Sequence, residues 1–151
     1  MSVYENLKNL NLEIPKAPDP IGAYIAYKKT ANLLFISGQI SIDSNGKISK
    51  GKLGKDLTID QGQAAAKLCA INIIAQVKKA CNDKLESIAS CIKLTGYVNS
   101  TNDFTINLKL SMLLLNLFLQ YLVRTVNTQE RQLAQTHCLL MRLLKLMLYS
   151  N

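Results

Sequence analysis

Along residues 1–105 the alternation of apolar and polar positions predicts two short strands, a long helix and a further strand, and at Thr105 that pattern stops. Pro15, Pro18 and Pro20 keep the preceding segment irregular. The run Ala23-Tyr24-Ile25-Ala26-Tyr27 then predicts a first strand, with Lys28 to Asn32 as the turn after it. Leu33-Leu34-Phe35-Ile36 is a short apolar run that suits a buried strand. It is closed by Ser37-Gly38-Gln39, where a glycine implies close approach of something to the backbone.

Asp43-Ser44-Asn45-Gly46 is a turn signal, and it leads into a loop in which Lys47, Lys50, Lys52 and Lys55 alternate with Gly46, Gly51 and Gly54. From Thr58, a candidate N-cap, the spacing becomes helical. Ala65, Leu68, Cys69, Ile71, Asn72, Ala75, Gln76 and Val77 approximate one inward face, and the small residues at 64–66 let the helix lie close on a sheet. Residues 88–98 form a β-rich run broken by Gly96 and ended by the polar cluster at 99–103. The order strand, strand, helix, strand predicts an α+β fold, with an antiparallel sheet covered on one face by helix.

Composition sharpens the break at 105. All seven glycines and all three prolines precede it, whereas residues 106–151 hold all three arginines (Arg124, Arg131, Arg142) and 15 of the 25 leucines. A linker between domains is usually richer in Gly, Pro and polar residues than its flanks, and this junction runs straight into leucine. With nothing to interrupt helices, the tail is expected to be mainly helical and poorly matched to the sheet, leaving an open sheet edge and a chain prone to aggregate. Residues 108–123 are apolar but carry Lys109, Asn116 and Gln120 and are shorter than the roughly 20 residues of a spanning helix, which argues against a membrane span. Residues 138–148 place Arg142 and Lys145 among leucines and methionines, a pattern that also fits a basic amphipathic helix on a lipid surface or a partner.

A chain of 151 residues suits one domain, 1–151. Its formal charge of +8 is spread over both parts, and the lysine-glycine loop lacks the aromatic interleaving of a base-stacking surface, so no nucleic-acid partner is indicated. Cys69, Cys81, Cys91 and Cys138 show no C-x-x-C spacing, and His137 cannot complete a zinc site with them at standard intervals. Neither a metal nor any other cofactor is expected. Unpaired cysteines and a start at Met1-Ser2-Val3-Tyr4 without the pattern of a secretory signal favour the cytoplasm.

Several motifs carry a resemblance. Ile21-Gly22-Ala23-Tyr24, Leu34-Phe35-Ile36-Ser37-Gly38-Gln39-Ile40, Gly51-Lys52-Leu53-Gly54, Gln61-Gly62-Gln63-Ala64-Ala65, Gly96-Tyr97-Val98 and Asn102-Asp103-Phe104 resemble the YjgF/RidA family of reactive enamine/imine deaminases, also known as the L-PSP endoribonuclease family. The likeness covers about residues 15–105. It implies a chorismate-mutase-like α+β fold, assembled as a homotrimer with pockets between subunits, that binds a small carboxylate-bearing metabolite. It also implies that Tyr24, Ser37 with Gly38, and Asn102 line the substrate pocket. Read without it, Tyr24 is a strand aromatic, Ser37-Gly38 a strand terminus and Asn102 an Asx-turn residue. The resemblance further calls for an Ala-Arg strand, a Leu-Pro turn and a last strand with Val-Glu-Ile, whose arginine holds the substrate carboxylate and whose glutamate handles the attacking water. Residues 106–151 contain none of these, so no catalytic residue is assigned and activity is expected to be impaired. A non-catalytic ligand-binding trimer or an inactive truncated relative is the competing function.

The genetic code offers an account of the tail. Codons for residues 106 onward, read one base earlier, permit Asn-Gln-Pro-Lys-Val-Ile-Asn-Ala at the start and Gly-Lys-Asn-Gly-Lys-His-Ala-Arg-Ala-Ser-Val-Gly over 123–134. Over 137–149 they permit Leu-Pro-Thr-Asn-Ala-Ala-Val-Glu-Ile-Asp-Ala-Val. These restore the missing motifs in order, and the tail reads as a translation out of frame.

Overall fold

The longest element forms because its first turn is closed by its own side chains. Thr58 accepts a hydrogen bond from the Gln61 backbone N–H at 3.3 Å, and the Gln61 side chain accepts one from the Thr58 N–H at 2.9 Å. This reciprocal cap satisfies donors that a helix start otherwise leaves open, and Asp60 adds a negative charge where the helix dipole favours one. Helix α2 then runs Ile59–Ala80, with Lys78 and Lys79 in its last turn.

The computed structural model describes residues 3–9, 11–20, 22–102 and 144–148. A short helix α1 (Val3–Asn9) precedes strands β1 (Tyr27–Thr30) and β2 (Leu33–Ile36). After α2, a single 3-10 turn (Leu85–Ser87) leads into β3 (Ile88–Lys93), and residues 144–148 form β4 (Leu144–Leu148). The sheet is antiparallel throughout, in the order β1-β2-β4-β3.

Sheet and helix meet through the period-2 alternation of β2. Leu34 and Ile36 are fully buried and belong to one cluster with Ala66, Ala70, Ile73, Ile74 and Val77 of α2, while Leu33 and Phe35 lie on the opposite face. Two buried amides on α2 tie it to the segments on either side. Asn72 Nδ2 donates to the carbonyls of Ile40 (3.1 Å) and Ile42 (2.9 Å), and Gln76 Nε2 donates to that of Pro18 (2.6 Å). The proline segment is thus held on the helix by its backbone, with the exposed Lys79–Asp19 pair at 3.4 Å adding little. Asn82 and Asp83, both in the left-handed region, reverse the chain after α2, and the Asp83 carbonyl accepts a hydrogen bond from the Tyr4 hydroxyl of α1.

Four sequence expectations need correction. The first strand lies at Tyr27–Thr30 rather than 23–27, because pairing with β2 holds Lys28, Lys29 and Thr30 in the ladder and only two residues are left to turn. Strand β3 stops at Lys93, short of the expected 98. The buried face of α2 matches the expected one only in its second half: Asn72, Ala75, Gln76 and Val77 are buried, whereas Ala65, Leu68, Cys69 and Ile71 are only half-buried and Ala66, Ala70, Ile73 and Ile74 are buried instead. A tail that is helical and unmatched to the sheet is contradicted at its end. Residues 144–148 form a strand between β2 and β3, so the gap at the centre of the sheet is filled; short apolar runs suit strand or helix, and the ladder positions on both sides decide. The remaining tail readings fall on residues outside those described.

Replacing Asn72 by Leu, which has similar bulk, removes the donor shared by two carbonyls. Leaving those carbonyls without their partner should cost about 1–3 kcal/mol, seen as a lower urea midpoint with unchanged slope. A second test concerns Cys69, whose thiol burial pushes from 9.0 up to about 11. Cys81 is raised in the same direction, again by burial first. The folded state keeps protons that the unfolded state gives up, so stability is full below about pH 9 and declines as pH rises toward 11. Urea midpoints measured across that range should fall, and fall less in Cys69→Ala.

Candidate functional site

The end of β2 positions the site. Beyond Ile36 the Ser37 N–H still pairs with the Ala26 carbonyl at 2.9 Å, and the Ser37 hydroxyl donates to the Ile25 carbonyl at 2.5 Å. Backbone and side chain of one residue therefore clamp the segment that leads into β1. Tyr24 N–H bonds back to the Gly22 carbonyl at 2.8 Å, a tight bend that leaves the Tyr24 and Ile25 side chains 50% and 62% exposed. Large apolar side chains so exposed, next to a glycine at 38, form a receptive surface rather than a core.

Between these segments lies a cavity of about 530 Å³, a size common for small-molecule sites. One wall is Tyr24, Ile25, Tyr27 and Lys28; the other is residues 35–38. Lys28 stands opposite Phe35 in the β1–β2 register, on the sheet face away from α2. Among the described residues no acidic side chain lines the cavity, and Lys28 is the one charged side chain in its lining.

Of the residues singled out from sequence, Tyr24, Ser37 and Gly38 come together here. Asn102 does not line the cavity; it is exposed in a turn. That turn is anchored by the Gly-Lys-Leu-Gly loop, since Leu53 N–H donates to the Asn99 carbonyl (3.0 Å) and Thr101 N–H to the Leu53 carbonyl (2.9 Å). Gly51 in this loop has φ +145°, and a Cβ there would stand 2.8 Å from Leu57 Cγ, so no other residue fits without displacement. Sequence reasoning missed Lys28 and Phe35 as lining residues. No local signal marked Lys28, because Tyr-Lys-Lys-Thr shows no alternation of apolar and polar residues and only pairing with β2 extends the strand through what reads as a turn.

Among the described residues no group of three or more His, Cys, Asp or Glu could hold a metal ion. No helix among them is long and apolar enough to cross a membrane.

Comparison with known proteins gives a consistent result. Residues 5–126 match the model of the YjgF/chorismate_mutase-like family, whose description adds a provisional endoribonuclease designation. The match is wider at both ends than the span that carries the quoted motifs. The chain is 36% identical over 103 residues to Protein TCP17 of Trypanosoma cruzi, covering 68% of this chain and 64% of that one. It is also 36% identical over 89 residues to a RutC family protein of Pyrococcus horikoshii, covering 58% and 60% respectively. The matched stretches span 60–64% of the length of the curated relatives. Among solved structures, a provisionally designated endoribonuclease from Shewanella oneidensis is similar with a TM-score of 0.80 at 26% identity, over 98% of this chain and 100% of that one. A protein of unknown function from Agrobacterium tumefaciens gives a TM-score of 0.75 at 29% identity, over 97% and 94%.

Ser37→Ala should separate the clamp from the fold. Its hydroxyl bond is exposed, so stability should change by no more than about 1 kcal/mol in urea melts. The segment at 24–26 should loosen, and faster amide exchange at Ile25 and Ala26 is the readout.

Proposed function

The chain belongs to the YjgF/chorismate_mutase-like family, and on that premise we propose that its fold serves the hydrolytic deamination of reactive enamine and imine intermediates of amino-acid metabolism, in the cytoplasm and as a homotrimer. The observation that carries this reading is the convergence of Tyr24, Ser37 and Gly38 on one cavity. In such a reaction water adds to the C=N carbon, a proton passes to nitrogen, and ammonia leaves as the carbonyl forms. The residues in hand suit the binding half of that task. Tyr24 and Phe35 offer faces for the carbon skeleton, and Gly38 admits close approach to backbone at the end of β2.

The half that moves protons has no counterpart among the described cavity residues. An arginine strand and a late glutamate are what the family resemblance calls for, and we propose that a shift of reading frame near codon 105 has removed them. One structural observation supports this. Matched base by base, the Val-Glu-Ile of the shifted reading falls on positions 144–146, within β4 (Leu144–Leu148), and position 145 pairs in register with Phe35 of the cavity wall. A glutamate in place of Lys145 would thus stand in the row of the sheet that reaches the cavity.

In the chain as written, charge-assisted hydrogen bonds of about 1.5–3 kcal/mol each to the substrate carboxylate are lost along with its positioning. Loss of more than about ten-fold in each of binding and rate is expected. Consumption of the imine derived from an α-amino acrylate, followed side by side for this chain and for one with the tail restored to the shifted frame, tests both parts. The restored chain should be active and the present one should not. Equal rates would refute the frame reading, inactivity of both would refute the deaminase reading, and the gene sequence across codons 100–110 decides the frame independently.

A further inference from the structure

We propose that Lys28 reads the negative charge of the cavity's ligand, its ammonium pairing with the carboxylate of a small 2-oxo or 2-imino acid held between Tyr24 and Phe35. The proposal rests on the reading of this cavity as the ligand site of the reaction above, and it assigns the anion contact to a residue outside the motifs of the family resemblance.

Three observations carry it. First, among the described residues the cavity lining holds one cation and no acid, and the neighbouring position in register with Phe35 is a further lysine, Lys145, so the local field favours an anion over a neutral molecule of the same shape. Second, Lys28 makes no ion pair among the described residues; the paired lysines there are Lys78 with Asp83 and Lys79 with Asp19. Its ammonium is available without breaking a structural contact. Third, the strand fixes its direction. Lys28 stands opposite the cavity residue Phe35, whereas its neighbour Lys29 stands opposite Leu34, which is buried against the helix layer. Lys29 also acts on Cys81 at the end of α2, where its charge works against the rise caused by burial. Adjacent lysines of one strand thus serve opposite faces.

The type of cation predicts the type of selectivity. A lysine ammonium is a compact charge on a flexible stem, without the two-pronged planar fork of a guanidinium. Binding through Lys28 should therefore respond to ligand charge and to salt, but tolerate exchange of carboxylate for sulfonate. A guanidinium site would discriminate these more sharply.

The experiment uses the full chain and isothermal titration with 2-oxobutanoate, the product expected of the proposed reaction, and with its uncharged methyl ester. The acid should bind more tightly than the ester, with affinity falling as salt rises. Lys28→Met should weaken the acid about five-fold or more, between the effect of an exposed pair and that of a charge-assisted bond, and leave the ester unchanged. Lys28→Arg should retain acid binding, and Lys29→Met should match the parent chain. Unchanged melting curves are expected for Lys28→Met, since the residue is exposed. If Lys28→Met binds the acid as the parent does, the role of Lys28 is overturned while the cavity reading stands. If the parent binds neither acid nor ester, the cavity reading fails and Lys28 falls with it.

Discussion

The packing of α2 across β2 is the constraint on which the remaining structure depends. Leu34 and Ile36 are sealed beneath Ala70, Ile73, Ile74 and Val77, and burying such side chains is worth about 1.5–3 kcal/mol each. Small residues at 66 and 70 let the helix sit close, and that closeness brings the Asn72 and Gln76 amides within reach of the backbone on either side. Apolar contact sets the distance, and the amides convert it into a fixed register for the proline segment and for residues 40–42. Because β2 is pinned from below, its end at residues 36–38 is a rigid base for the cavity above.

The two faces of the sheet are consequently specialised. The face toward α2 is closed and hydrocarbon-filled. The other carries Lys28 and Phe35 side by side and opens at one end onto Tyr24 and Ile25, two large side chains left half or more exposed. A single-residue alternation along Tyr27–Thr30 thus separates structural from receptive chemistry. The strand is short, exposed along most of its length and unattractive as a core element, yet it supplies the charge of the site.

Much of this could be read from the residues. Thr58 as a cap, the helix that follows it and the strand at 33–36 follow from local rules, since cap, period and apolar run all act within a few residues. The convergence of Tyr24 with Ser37-Gly38 could be anticipated only through the family likeness, because nothing local says that residues 13 apart line one cavity. What was not legible is instructive. Lys28 and Lys29 look like turn residues until pairing with β2 places them in a ladder, and β4 looks helical until the sheet supplies partners on both sides. In both cases a partner distant in sequence overrides the intrinsic preference of the segment.

The position of β4 also bears on how the molecule is made. It lies between β2 and β3, so Ile36 must wait for Leu144 and Lys93 for Lys145 before either ladder is complete. Closing a loop of that length before any contact compensates its entropy makes for slow assembly. During synthesis the helix and the β1–β2 hairpin can form early, while β2 and β3 emerge from the ribosome with unpaired flanks facing one another across a vacant lane. The nascent chain thus has a period in which any extended apolar segment, its own or a neighbour's, can occupy that lane, and the strand that arrives after the others decides whether the product is the closed sheet or a tangle of chains.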